Sequence, residues 1–245
     1  VKQWYVADDG SSKEDLELMQ QSAPPCAVSW LEKGPEFAGH IGSLNLLLKE
    51  VFEQGFDYLL HLEDDWWFIR DEEFISKALS VMEADPSIIQ VMINPDYREL
   101  DEDWEAKSIH ANRRYISTDG VSYALHKYAG PLGSELYQQY LKENNINTLS
   151  HVHWPGFTLR PGLWRLSAIR QVGFFDDTTQ FEEAYGQRVR RLGFKTAFLT
   201  EVSCIHLAPT APWLAGKDLA PVYKKHQLHL THQRQSAYDA SISVR

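Results

Sequence analysis

The chain has 245 residues, 43% of them hydrophobic and 12% aromatic, which is the composition of a folded protein with one good core and elaborations on it. Its net charge of −10 argues against nucleic acid or an anionic membrane as the main partner, although a bound metal can still draw a nucleotide into a locally reversed field. The sequence shows no transmembrane run and no signal peptide, and Cys26 and Cys204 form no redox or metal spacing, so a cytoplasmic, reducing location is expected, free or peripheral to a membrane.

Lys2–Ala7 reads as a short strand running into the turn Asp8-Asp9-Gly10-Ser11-Ser12. Ser12 is placed to cap a helix from about Glu14, with Asp15 in its first turn. Ala27–Leu31 is a second strand. Leu44, Leu47, Leu48 and Val51 fall on one side of a helix over 44–53, which Gly55 ends. The strand Phe56–Leu62 stops at Glu63-Asp64-Asp65, and the bulky run Trp66-Trp67-Phe68-Ile69 follows at once. A helix over 71–84 turns Phe74, Ala78, Leu79 and Met82 inward, and Ile88–Ile93 is another apolar strand. This alternation predicts an α/β domain whose central sheet is mostly parallel and flanked by helices.

Residues 94–134 are polar and read as irregular, with the acidic cluster Asp101-Glu102-Asp103-Trp104-Glu105 as a solvated loop. A helix is expected over 134–144. Residues 150–164 are rich in Trp, Pro and Gly, and His151 and His153 flank a Trp154-Pro155-Gly156 turn there. A further helix over 179–192 ends at Gly193, and the strand Thr196–Leu199 follows. Residues 208–245 are expected to pack on the domain as an extension. Their His226, His229 and His232 drift around a helix and do not make a metal site.

Two acidic turns each end a strand, about 55 residues apart, at the edge where open α/β sheets bind ligands. Three anions ending a buried strand repel one another and are poorly solvated. A hard divalent ion, with a phosphate on its far side, resolves that conflict. In an extended segment Glu63 and Asp65 share one face and Asp64 the other. In the segment FEEAYGQRVRRLGF, Phe181, Ala184, Tyr185, Val189 and Leu192 form the apolar stripe of a helix. Glu182 falls on the edge of that stripe and Glu183 on the wet face. A carboxylate in the first helical turn is kept ionised by the helix dipole, which suits a base or a hydrogen-bond acceptor.

Three segments, VADDGSS, GHIGSLNLLLKEVFEQGFDYLLHLEDDW and LWRLSAIRQVGFFDDTTQFEEAYGQRVRRLGFK, stand in the order and spacing of family 2 glycosyltransferases. The chain resembles these enzymes from about Val6 to His206, with 94–150 unmatched. The resemblance implies a Rossmann-like GT-A nucleotide-sugar fold over 1–207, lacking the strand and helix that usually precede the first acidic turn. It further implies inverting transfer from a nucleoside-diphosphate sugar to a hydroxyl of a glycan or other acceptor. Asp8 and Asp9 match the turn that holds base and ribose, and Glu63-Asp64-Asp65 matches the Asp-x-Asp metal motif with Glu replacing the first Asp. Asp65 would then bind Mn2+ or Mg2+, assisted by His206, with Glu63 and Asp64 near ribose or metal-bound water. Counting back from Arg188 puts Glu182 on the general base. Trp66, Trp154 and Trp164 are candidates to stack on sugar faces. The rival readings are a nucleotidyltransferase of related fold, for which no Gly-rich phosphate loop is visible, and a carbohydrate-binding domain without turnover.

Overall fold

The computed structural model describes residues 1–8, 10–23, 27–34, 37, 39–64, 66–68, 70–94, 114–146, 151–201 and 203–206. Asp9, Cys26, Asp65, the acidic cluster 101–105 and the tail 208–245 with its histidines lie outside the described residues, and His206 is described by its backbone alone.

The first unit is a parallel pair. β1 (Trp4–Ala7) lies beside β2 (Val28–Leu31), with Trp4 opposite Val28 and Ala7 opposite Leu31. Helix α1 (Lys13–Gln21) connects them, and the Ser12 hydroxyl accepts the Asp15 amide at 3.1 Å, the cap its sequence announces. Helix α2 (Gly39–Glu53) begins a turn before the predicted start. Gly42 explains the early start, because a Cβ there would stand 2.1 Å from the Phe37 carbonyl carbon. Only glycine lets the incoming chain lie that close to the helix.

The central sheet contains β3 (Tyr58–His61), β5 (Ile88–Met92), β6 (Arg114–Ile116), β7 (Ser122–Leu125), β8 (Gly162–Arg165) and β9 (Lys195–Leu199), in the order β3-β8-β5-β9-β7-β6. It is mixed, which corrects the expectation of a mostly parallel sheet. Among the described residues of this sheet, β5 and β9 alone pair in parallel and the other four pairings are antiparallel. The three strands expected from the sequence, β3, β5 and β9, do run the same way. The difference is β8, which enters between β3 and β5 in the opposite sense, and the hairpin β6–β7 added at the far edge. The hairpin comes from the segment read as irregular, and β8 from the end of the Trp-, Pro- and Gly-rich stretch, for which no strand was expected. A separate antiparallel ribbon joins β4 (Trp66–Phe68) to β10 (Cys204–His206).

Helices cover both faces. Leu163 and Trp164 are neighbours on β8 and therefore point to opposite sides. Trp164 packs with α2, α5 (Leu166–Val172) and α6 (Phe181–Arg191) through Leu48, Ile169, Tyr185 and Val189. Leu163 packs with α3 (Phe74–Ala84) through Ala78, Val81 and Met82. A smaller cluster places Tyr137 of α4 (Glu135–Glu143) against Met92, Val152 and Phe198. All five residues of β5 are buried, as a strand covered on both faces must be. Among the described residues no helix is long and apolar enough to cross a membrane.

Candidate functional site

Register decides which loops meet. His61, the last residue of β3, pairs with Gly162, the first of β8, and Met92 at the end of β5 pairs with the same glycine. The carboxyl ends of β3 and β5 and the amino end of β8 thus share one edge. The acidic turn Glu63-Asp64 leaves from that edge, and the segment 154–161 arrives at it.

That segment is held from two sides. Gln90, fully buried on β5, donates to the Thr158 carbonyl at 2.5 Å and accepts the Thr158 amide at 3.1 Å. Glu182, in the first turn of α6, accepts the Thr158 hydroxyl at 2.6 Å and the Leu159 amide at 2.9 Å, both on Oε1. The His61 imidazole, near the Leu159 backbone, stacks on Trp164 with ring centroids 4.5 Å apart. Two further buried or half-buried carboxamides fix the neighbouring loops. Asn45 clamps both backbone groups of Phe175, ahead of α6, at 2.9 and 3.0 Å. Asn94, just past β5, accepts the amides of Ser203 and Cys204 and donates to the Cys204 carbonyl. Glu72 adds a second grip on the same segment through the Ser203 hydroxyl and pairs with Lys77 at 2.6 Å.

The acidic turn is tied to this frame. The Trp66 indole donates to Glu63 Oε2 at 3.3 Å, and the Arg160 guanidinium lies over the Trp66 ring, 5.4 Å from its centroid. One short run of chain, 158–160, therefore touches Glu182 at one end and the surroundings of Glu63 at the other. β10 brings His206 opposite Trp66 on the backbone ladder, next in space to the acidic turn. Glu63 and Asp64 are oxygen donors of the kind a hard divalent ion takes. Among the described residues no group of three potential ligands is close enough to hold a metal.

Other expected residues stand as follows. The Asp8 carboxylate accepts the amides of Gly10 and Ser11, each at 2.9 Å, and so braces its own turn. The Ser11 side chain first, then those two amides, hold its carboxyl below the usual range. Trp164 does not offer a sugar platform: it is 0% exposed, stacked on His61 and packed against Phe157. Trp66 is 8% exposed, with the Arg160 guanidinium over its ring, so its stacking partner is a cation. Trp154 remains half-buried, its indole donating to the Phe157 carbonyl at 2.9 Å. Glu183 is half-buried, not fully on the wet face. His151 and His153 form a 3-10 turn with ring centroids 6.3 Å apart, and the edge-to-face contact of His153 with Tyr137 makes that turn part of the packing.

Sequence reasoning missed Gln90, Thr158, Arg160 and His61. The available signals were a glutamine and a histidine inside apolar strands, which need polar partners once buried.

Burial pushes the His61 imidazole down to about 4, opposed by the nearby Leu159 backbone, with His40 adding to the depression. The unfolded chain takes a proton at this position below its ordinary value of 6.5, whereas the folded chain stays neutral until about 4. Stability is thus fully present above that ordinary value and is lost as the pH falls. The expected loss at pH 4 is about 3 kcal/mol. Urea titrations at several pH values should show a steeper acid loss in the wild type than in His61→Gln. Parallel curves for the two proteins would refute this account.

No family model matches the chain, and no curated relative matches it. Among solved structures, it is similar to the mannosyltransferase PcManGT from Pyrobaculum calidifontis, in complex with GDP-Man and Mn2+. The identity is 14% and the TM-score 0.49, over 86% of this chain and 49% of that one. The chain thus spans about half the length of that structure. A likeness at this level carries no assignment of activity.

Proposed function

We propose that the chain is a metal-dependent inverting glycosyltransferase of GT-A type, moving a sugar from a nucleoside-diphosphate donor to an acceptor hydroxyl. The observation that supports this reading is the path Glu182–Thr158/Leu159–Arg160–Trp66–Glu63, which joins two carboxylates distant in sequence along one sheet edge. A solvated helix glutamate and an unrelated acidic loop would have no reason to share one braced segment.

In this reading Glu182 takes the proton from the acceptor hydroxyl as that oxygen attacks the anomeric carbon. Oε1 is engaged by Thr158 and Leu159, which fixes the plane of the carboxylate and aims its second oxygen. Asp8 and Asp9 receive base and ribose, while Glu63 and Asp64 lie near ribose or metal-bound water. Asp65, with His206, would hold Mn2+ or Mg2+, and the ion when bound neutralises charge on the departing diphosphate. Trp154, which keeps partial exposure beside the Glu182 loop, is the aromatic candidate for the sugar or acceptor face.

The test is incubation with a panel of nucleotide sugars and manganese. Nucleoside-diphosphate release that stops on chelation is the expected result. Release unaffected by chelation removes the metal from the mechanism. Pyrophosphate exchange would make the chain a nucleotidyltransferase, and binding without either product a carbohydrate-binding domain.

A further inference from the structure

The acidic turn calls for a cation, and besides a metal the structure places one from the protein itself nearby. We propose that Arg160 binds the diphosphate of the donor, as a fixed positive group beside the acidic turn; the inference rests on the glycosyltransferase reading above.

The backbone at Arg160 has little freedom. Thr158 and Leu159, immediately before it, are pinned by Gln90 and Glu182. Pro161, immediately after, restricts Arg160 to extended backbone, and its carbonyl accepts the Ile93 amide at 3.3 Å. The side chain is braced as well, because the guanidinium lies over the face of Trp66, and the Trp66 indole is in turn hydrogen-bonded to Glu63. A long, flexible side chain normally loses much entropy when it is fixed on a ligand. Here much of that ordering precedes binding.

The chemistry selects the ligand. Guanidinium is charged at every working pH, and its planar fork of donors matches two phosphate oxygens at once. Arg160 is half-buried, so its charge is screened less than that of a solvent-exposed arginine. Its position beside Glu63 is where the diphosphate of a donor held by the acidic turn must pass. A cation set there before reaction stabilises the charge that grows on the leaving group and needs no reorganisation. The competing account makes Arg160 a counter-ion for the carboxylates alone, and the two accounts differ in what its removal does to nucleotide affinity.

Calorimetric titration of the full chain with UDP, GDP, ADP, CDP and dTDP, and with the matching nucleosides, separates the two accounts. Each titration is run with manganese and again with a chelator. The wild type should bind at least one diphosphate. In Arg160→Ala the affinity for that diphosphate should fall tenfold or more, with nucleoside affinity unchanged, and Arg160→Lys should lie between. Arg160→Gln, which keeps most of the packing on Trp66, should show the same loss as Arg160→Ala if the latter folds poorly. Wild-type diphosphate affinity in Arg160→Gln, or equal losses for diphosphate and nucleoside, overturns the proposal while leaving the glycosyltransferase reading in place. A wild-type protein that binds no diphosphate in the panel overturns both.

Discussion

Glu182→Gln is expected to lower turnover by about 100-fold or more, with little change in donor affinity and a folded protein. Oε1 already accepts the Thr158 hydroxyl and the Leu159 amide, and a glutamine carbonyl oxygen accepts both just as well. The loop that carries Arg160 therefore keeps its place, and only the basic lone pair is lost. Glu182→Ala is a different experiment. It leaves the buried Thr158 and Leu159 donors without their acceptor, at a cost of about 1–3 kcal/mol, so lost activity there would mix a chemical effect with a structural one. Turnover and thermal stability measured on both variants separate the two. Full turnover in Glu182→Gln would remove this residue as the base, and the same substitution at half-buried Glu183 is the natural control.

Trp164→Ala is expected to destabilise the fold by about 3–5 kcal/mol, in the range found for emptying a large aromatic site in a core. The ring is fully buried and is shared by three structural elements, through His61 on β3, Phe157 on the braced segment and the α2–α5–α6 layer. Its loss should lower the urea midpoint without a specific effect on sugar binding. A surface platform would behave in the opposite way, losing affinity and keeping stability. A stable Trp164→Ala protein with weakened sugar affinity would restore the role expected from composition. The tryptophans are thus instructive as a set. Trp164 is core, Trp66 is a shelf for Arg160, and Trp154 alone of these three keeps a partly open position with its indole bound to a backbone carbonyl. Sequence treats the three alike because an indole beside Gly, Pro or acidic residues looks the same whichever way its strand faces.

Helices α1, α2, α3, α4 and α6 and the strands β1, β2, β3, β5 and β9 were readable from local pattern, since each carries its own apolar periodicity and its own stop signal; the short α5 was not expected. Three of the elements that were not readable have short apolar runs and earn their structure from partners. β8 is four residues long and sits between two strands that already point the same way; β4 and β10 are three residues each and exist as a ladder with one another. Pairing energy between segments about 140 residues apart leaves no trace in either segment alone.

The candidate site divides along the same line. Sequence determined its chemistry: carboxylates at strand ends and a glutamate in the first turn of an amphipathic helix, because charge placement and periodicity are local properties of a chain. Tertiary structure decided its connections: that β8 runs backward, that its leading segment is pinned by Gln90 and Glu182, and that Arg160 is thereby set over Trp66 beside Glu63. Those relations arise from sheet register and from hydrogen bonds between residues far apart in the chain. Neither is encoded in any window of sequence short enough to be read by pattern.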